Sequence, residues 1–167
     1  MESQLLFEIS ILIFLILLNG VFALSELAIV SSRRERLQML VDEGNKGASI
    51  ALEMAQEPTA LLSTVQVGIT LIGILAGAFG GASLSDELAM LVAPIPVIGA
   101  YARTVSLAIV VGTITYFSVV LGELVPKRLA LLKPEMIAAF VARPMHWLAR
   151  AARPLVWLLS ASSDVVL

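Results

Sequence analysis

The stretch Ile9–Val30, ISILIFLILLNGVFALSELAIV, decides the class of this protein because it is long and apolar enough to cross a bilayer. About 22 residues at 1.5 Å each give roughly 33 Å of helix, slightly more than the hydrocarbon core of a membrane. The flanks are unlike those of a signal peptide, because acidic Glu2 and Glu8 precede the stretch and no small-residue cleavage site follows it. We therefore predict a retained transmembrane span at residues 9–30.

The composition of the whole chain agrees with a membrane protein. Of its 167 residues 59% are hydrophobic and only 14% are charged, whereas about a quarter of a soluble domain is charged. The mean hydropathy is +0.96. The chain has no Cys, and this absence excludes disulfides, thiolate metal sites and cysteine catalysis. It has a single His, His146.

Two further segments, residues 60–82 and 104–124, are long and apolar enough to span a bilayer. The segment between them, ELAMLVAPIPVIGAYAR, contains Pro94 and Pro96. Since proline removes a backbone donor, we expect this segment to be a short interfacial or re-entrant piece. The predicted fold class is an all-α integral membrane domain that occupies residues 1–167 and has three transmembrane helices.

Basic residues are distributed unevenly between the two sides of the predicted spans. Ten of the 11 Lys and Arg residues lie on one side, and Arg103 alone lies on the other. The ten follow the first and third spans: Arg33, Arg34, Arg36, Lys46, Lys127, Arg128, Lys133, Arg143, Arg150 and Arg153. The positive-inside rule then predicts a plasma-membrane or inner-membrane protein with its N-terminus outside and its C-terminus in the cytosol.

Residues 33–58 and 134–160 are predicted to form cytosolic juxtamembrane helices. The first segment is amphipathic and mixed in charge, and Gly44-Asn45 is expected to break it into a helical hairpin.

The second segment resembles a fourth span by hydropathy alone. A span there would bury several Arg side chains at about 2.5 kcal/mol or more each. Pro144 and Pro154 are expected to interrupt it, and Trp147 and Trp157 suit helices that lie in the membrane interface.

Oxygen-bearing side chains of the three spans lie at a similar depth. Counted from the predicted cytosolic ends of the helices, Ser25, Ser63 and Glu123 lie about 10, 8 and 6 Å deep. Free backbone carbonyls near Gly68 and Gly122 could add ligands. Such a layer, without sulfur or imidazole, suits Mg²⁺ or Na⁺ and poorly suits Zn²⁺ or Cu⁺. A cavity open to the cytosol would also be lined by Glu26, and weaker candidates for the ion pathway share one face of the second span: Gln66 and Thr70.

Each of these residues also has a simpler interpretation. Ser and Thr in membrane helices commonly donate to the carbonyl of the preceding turn. Glu26 and Glu123 could pair with basic neighbours such as Lys127 or Arg128. The series Gly73, Gly77 and Gly81 favours close helix packing, within or between subunits, over a pore lining.

Three motifs occur in order: NGVFALSELAIVSSRRERL at 19–37, LLSTVQVGITLIGILAGAFGG at 61–81 and VVLGELVPKRLALLKPE at 119–135. Together they resemble the transmembrane domain of the CNNM/CorC family, also called DUF21, over nearly the whole chain. Each motif alone would be weak, but the ordered combination is specific.

The resemblance implies a homodimer and Mg²⁺ transport, usually considered export coupled to Na⁺ entry. It implies a Mg²⁺ site formed by hydroxyls of the first two helices and a glutamate of the third, which correspond here to Ser25, Ser63 and Glu123. It further implies a cytosolic CBS-domain pair that binds ATP, and often a CorC domain; since neither is present, we expect this chain to be a truncated fragment. Many members carry Asn where this chain has Ile69, which bears on the coordination number and affinity.

The sequence therefore supports two functions. The first is a Mg²⁺ transporter, and the second is a non-transporting membrane sensor or regulator of divalent cations, which the missing Asn favours. An enzyme is not expected, because the sequence has no HExxH, no GxSxG, no Cys and no pair of Asp residues in the spans. The expected partners are the bilayer and a second copy of the chain, with no nucleic acid.

Overall fold

The structure, a computed structural model, describes residues 2–96 and 99–166. Every regular element in this part of the chain is helical. The elements are α1 (Glu2–Ser31), α2 (Arg34–Asp42), α3 (Lys46–Gln56), α4 (Pro58–Val92), a 3₁₀ turn (Gly99–Tyr101), α5 (Ala102–Val119), a π-helical turn (Val120–Leu124), α6 (Val125–Leu132) and α7 (Pro134–Val166).

Three stretches of these helices are long and apolar enough to cross a membrane: Ser3–Ser31, Pro58–Val92 and Gly99–Leu132. Each of the three predicted spans lies inside one of them, so the all-helical class and the number of candidate spans are confirmed. The third stretch continues through Pro126, beyond the predicted end at residue 124.

The segment between the second and third spans differs in part from the prediction. We expected residues 87–103 to form a separate interfacial or re-entrant piece, but α4 continues to Val92, so the first part of the segment belongs to the second span. The helix ends where proline was expected to end it, because Pro94 and Pro96 lie in the turn that follows. Residues 97 and 98 of the segment lie outside the described residues.

The chain forms two compact units, and α1 and α4 contribute residues to both. The first unit contains residues 2–20, 70–96 and 99–124. Its helices approach closely at Gly80 of α4, where a β-carbon would meet Ile114 of α5 and Leu12 of α1. Most of its large apolar side chains are exposed within the protomer, as expected for residues that face lipid.

The second unit contains residues 21–69 and 125–166, and its best-packed part is the α2–α3 hairpin against α7. The hairpin turns at Gly44, whose φ of 89° is a left-handed conformation that glycine adopts easily. Asn45 caps α3, since its side-chain oxygen accepts hydrogen bonds from the backbone N–H groups of Gly47 and Ala48 at 2.9 and 3.1 Å. Gly47 then lies so close to α7 that a β-carbon would meet the carbonyl of Ala139. The hairpin predicted at Gly44-Asn45 is confirmed.

Helix α7 is continuous through both of its prolines, which corrects the prediction that Pro144 and Pro154 interrupt it. Its first half packs against α3, and its buried face includes Ala138 and Ala142. Pro144 lies in this packed half, where the contacts offset the loss of its backbone donor. Trp147 and Trp157 are exposed, and α7 is not among the three stretches that qualify as candidate spans in the described chain, in agreement with an amphipathic helix beside the membrane.

Candidate functional site

The third span changes its helical form at two predicted site residues, Gly122 and Glu123. Residues Val120–Leu124 form a π-helical turn between α5 and α6, and π turns inside α-helices are frequent at functional sites. Pro126 explains the turn, because in an α-helix its ring would clash with the carbonyl of Gly122, four residues earlier, and it has no N–H to offer that carbonyl. The sequence Gly-Glu-Leu-Val-Pro therefore leaves one backbone oxygen, the Gly122 carbonyl, freed from its α-helical donor within an apolar segment.

The freed carbonyl is contacted by Asn19 of α1, which belongs to the same unit. The side-chain Nδ2 of Asn19 donates a hydrogen bond to the carbonyl oxygen of Gly122 at 3.1 Å. Gly122 is buried, and a β-carbon on it would lie 3.0 Å from that nitrogen and 3.3 Å from the carbonyl oxygen of Ile16. Glycine is needed here because the helices are this close.

Glu123 follows Gly122 on the same π turn and is half-buried. Neither Glu123 nor Lys127 lacks an interaction partner in the folded chain, so the simpler interpretation of Glu123 as a paired carboxylate stays open. Its place beside the freed carbonyl puts a charged and a neutral oxygen ligand on adjacent residues. Both are oxygen types that Mg²⁺ accepts.

Ser25 lies in α1 within the second unit and is fully buried, with 0% of its surface exposed. Its hydroxyl donates to the carbonyl of Val21 at 2.6 Å, as the simpler interpretation expected. That bond uses the hydroxyl proton and leaves the oxygen lone pairs available. The local hydrogen bond and a role as a cation ligand are therefore compatible.

Ser63 lies in α4 and belongs to the same unit as Ser25. It is half-buried and lines a surface groove of about 500 Å³ together with Pro58 at the start of α4 and Val156 of α7. The next residue, Thr64, is buried and donates to the carbonyl of Ala60 at 2.7 Å. Of the two neighbouring hydroxyls, Ser63 is thus the more accessible.

The weaker candidates differ in exposure. Glu26 is half-buried, whereas Gln66 and Thr70 are exposed within the protomer, and both of these have interaction partners. Gly68 receives the ring of Phe22, whose nearest atom would lie 3.2 Å from a glycine β-carbon. Among residues 2–96 and 99–166, no three His, Cys, Asp or Glu side chains are grouped so that they could hold a metal ion.

The glycine series of the second span makes no close contact within the protomer. A β-carbon on Gly73, Gly77 or Gly81 would meet no atom of its own protomer within 4 Å, whereas Gly80 makes the close contact. Within the protomer these three positions therefore make no close packing contact, and packing between subunits, the other alternative, stays a prediction. Gly73 and Gly77 instead line an open groove of about 220 Å³ beside α5, together with Thr115 and Ser118.

Two polar residues with structural importance were not assigned a role from the sequence. Asn19 is a polar residue within the first predicted span. Glu135, at the start of α7, is buried; its Oε1 accepts a hydrogen bond from the backbone N–H of Arg33 at 3.3 Å, and its Oε2 lies 4.0 Å from a guanidinium nitrogen of Arg36. The available signals were an amide within an apolar run and an acidic residue directly after a helix-starting proline.

Comparisons with known proteins agree with this architecture. The family model described as CNNM, Cyclin M transmembrane N-terminal domain, matches residues 10–167. The chain is 50% identical over 166 residues to the UPF0053 protein sll0260 of Synechocystis, which covers 99% of the chain and 37% of the relative. It is 38% identical over 131 residues to the UPF0053 protein YhdT of Bacillus subtilis, covering 78% of the chain and 28% of the relative.

A more distant relative has a functional name. The chain is 27% identical over 140 residues to the polyamine export protein of Escherichia coli K12, which covers 84% of the chain and 31% of that protein. The chain thus spans about a third of the length of the curated relatives that it matches, from 28% to 37% in these three cases.

Proposed function

The chain belongs to the family of CNNM transmembrane domains, and on that premise we propose that it is the membrane domain of a Mg²⁺ transporter. In this proposal Mg²⁺ is the cargo, exported in exchange for Na⁺, and it binds between the spans through the hydroxyls of Ser25 and Ser63, the carbonyl of Gly122 and the carboxylate of Glu123. ATP would bind only to CBS domains elsewhere in a longer protein, in keeping with the greater length of the relatives.

The observation that carries the proposal is the π turn of the third span. In this turn the Gly122 carbonyl, which lacks its α-helical donor because residue 126 is proline, lies next to the half-buried carboxylate of Glu123 inside an apolar helix. Polar backbone and ionisable side chains are costly at that depth and mark ion pathways in membrane proteins. Ser25, in the second unit, is compatible with a role as a ligand, because its lone pairs remain available after its proton is bonded to Val21.

Hard oxygen chemistry favours Mg²⁺ over a soft metal, but it does not by itself distinguish Mg²⁺ from an organic cation. The relative named as a polyamine export protein makes polyamines the competing cargo. A polyamine carries several separated ammonium groups, which call for several separated carboxylates. The only carboxylates in the predicted spans are those of Glu26 and Glu123. This small number favours a compact divalent ion as the cargo.

The test is Glu123→Gln, which keeps the size of the side chain and removes its charge. We expect the variant to lose Mg²⁺-dependent thermal stabilisation and Mg²⁺ flux in proteoliposomes. Glu53→Gln, at an exposed position of α3, is the matched control and should behave like the wild type. If Glu123→Gln keeps both the thermal stabilisation and the flux, the assignment of Glu123 as a ligand is wrong. If spermidine stabilises the wild type and Mg²⁺ does not, the assignment of Mg²⁺ as the cargo is wrong.

A second candidate is a non-transporting sensor, which the Ile69 position favours because the amide common among family members is absent there. This function predicts a purified protein that binds Mg²⁺ in the thermal assay and moves none in proteoliposomes. The same two measurements on the wild type therefore separate the transporter from the sensor.

The proposal includes a homodimer. The face of Gly73 and Gly77 is exposed in the protomer and has open space at both β-carbon positions. Small residues in membrane helices allow two backbones to approach closely. We expect this face to contact a second copy of the chain. In this proposal both copies have the N-terminus outside and the C-terminus in the cytosol.

A further inference from the structure

The amide of Asn19 contacts the proposed ligand Gly122 through its nitrogen. The hydrogen bond from Nδ2 to the Gly122 carbonyl oxygen is 3.1 Å long. The orientation of the amide follows from chemistry, because the amide oxygen has no proton and would repel the carbonyl, whereas the NH₂ group donates to it. The nitrogen of Asn19 thus lies against the oxygen that the proposed function assigns to the cation.

The Gly122 carbonyl needs this donor because the helix supplies none at the usual position. In an α-helix the carbonyl of residue 122 accepts from the N–H of residue 126, and residue 126 is proline. An unpaired carbonyl is unfavourable in a membrane interior, where no bulk water is available. Asn19 replaces the missing N–H from a neighbouring helix.

The other end of the same amide is not engaged. Among the residues that the structure describes, Asn19 Oδ1 is buried and has no hydrogen-bond partner. A buried polar atom without a partner is uncommon and calls for an explanation. Asn19 contrasts here with Asn45, whose side-chain oxygen accepts from two backbone N–H groups at the start of α3. The Asn19 amide is held against Gly122 from one end only.

We propose that Asn19 is a positioning residue that caps the Gly122 carbonyl while no cation is bound and leaves it when a cation arrives. This inference rests on the proposed function, since it needs the cation to bind at Gly122. The partial positive charge of the amide protons and the charge of Mg²⁺ oppose each other at one oxygen, so the two occupants compete. Between ions, the cap keeps the carbonyl satisfied and in place.

The composition of the chain allows a direct test, because Asn19 and Asn45 are its only asparagines. Selective ¹⁵N labelling of asparagine side chains in the full chain gives two NH₂ signals, and Asn19→Gln identifies the one from Asn19. Titration with MgCl₂ should shift the Asn19 signal and leave the Asn45 signal unchanged. The same titration of Glu123→Gln should shift neither.

A variant tests the competition itself. Asn19→Leu has a similar size and no donor, so Mg²⁺ no longer displaces a hydrogen bond, and calorimetric titration should give binding about threefold to tenfold tighter than in the wild type. Asn19→Gln keeps the amide and should bind more like the wild type. A residue with only a structural role would give unchanged or weaker binding in Asn19→Leu.

The outcomes separate this inference from the function on which it rests. An Asn19 signal that does not move at saturating Mg²⁺, or Asn19→Leu binding that is not tighter, overturns the cap while the Glu123-dependent site stands. A wild-type chain that binds no Mg²⁺ overturns the proposed function and the cap together. The wild-type titration needs no substitution, so it decides the question even if Asn19→Leu fails to fold.

Discussion

Glycines of the same span have different roles at the scale of single residues. Gly112 of α5 has open space where a β-carbon would be. A β-carbon on Gly122, in the π turn, would lie within 3.3 Å of Asn19 and of the backbone of Ile16. In the sequence, both residues are glycines within an apolar helix, and nothing local distinguishes them. The surroundings of each glycine decide whether the absence of a side chain is required.

The difference predicts opposite results for two alanine substitutions. Gly122→Ala should lower stability by about 1–3 kcal/mol, because the new methyl group forces α1 away from the π turn. Gly112→Ala should be neutral or slightly stabilising, because alanine is the better helix former. Thermal unfolding of the two variants in the same detergent measures the difference. Equal unfolding temperatures would contradict the close contact between α1 and the π turn.

The break between α1 and α2 is fixed at the scale of elements by a side chain from a third helix. The backbone N–H of Arg33 lies at the N-cap of α2 without a capping side chain of its own, and the carboxylate of Glu135 from α7 accepts from it. The Glu135 side chain is 10% exposed, whereas Arg36 is 58% exposed. The hydrogen bond therefore contributes more than the long ion pair, which water screens.

This arrangement predicts that Glu135→Ala lowers stability by about 1–3 kcal/mol, because it leaves a backbone donor near the helix break without its acceptor. Glu135→Gln should lose less, since its amide oxygen can still accept. Glu43→Ala, at an exposed residue after α2, is the control and should change stability by less than about 0.5 kcal/mol. Denaturation midpoints of the three variants give the comparison, and equal midpoints for Glu135→Ala and Glu43→Ala would show that the contact is unimportant.

The whole molecule has three candidate spans. Helices rich in basic residues follow the first and the third of the predicted spans. The positive-inside rule predicts that these helices lie in the cytosol. The membrane orientation is a property of the whole chain, since it depends on the charge difference between all the loops on either side.

The absence of cysteine from the chain provides a test of this orientation. Ser3→Cys and Ser49→Cys place single thiols at exposed positions on α1 and α3. On intact cells, a membrane-impermeant maleimide should label Ser3→Cys only; after permeabilisation it should label both. The reverse pattern would place the N-terminus in the cytosol.

Local signals in the sequence were sufficient for much of the fold. Hydropathy located the three spans, and Gly44-Asn45 located the hairpin, because a left-handed glycine and a capping asparagine act over a few residues. The prolines of α7 do not interrupt the helix as predicted, and at Pro144 packing of the first half of α7 against α3 offsets the lost backbone donor. The glycine series identified one face of α4, but periodicity alone does not say whether that face packs within the protomer or against a second copy.

The sequence by itself determined that this is a helical membrane domain with oxygen-bearing side chains in its spans, because length, apolarity and residue chemistry are properties of the chain alone. Only the tertiary structure decided that Gly80 makes the close contact of α4, that Glu135 accepts from the N-cap of α2, and that Asn19 donates to the carbonyl freed by Pro126. Each of these contacts joins residues far apart in the chain. Their existence depends on distances of a few ångströms between helices, which only the packing of the folded chain determines.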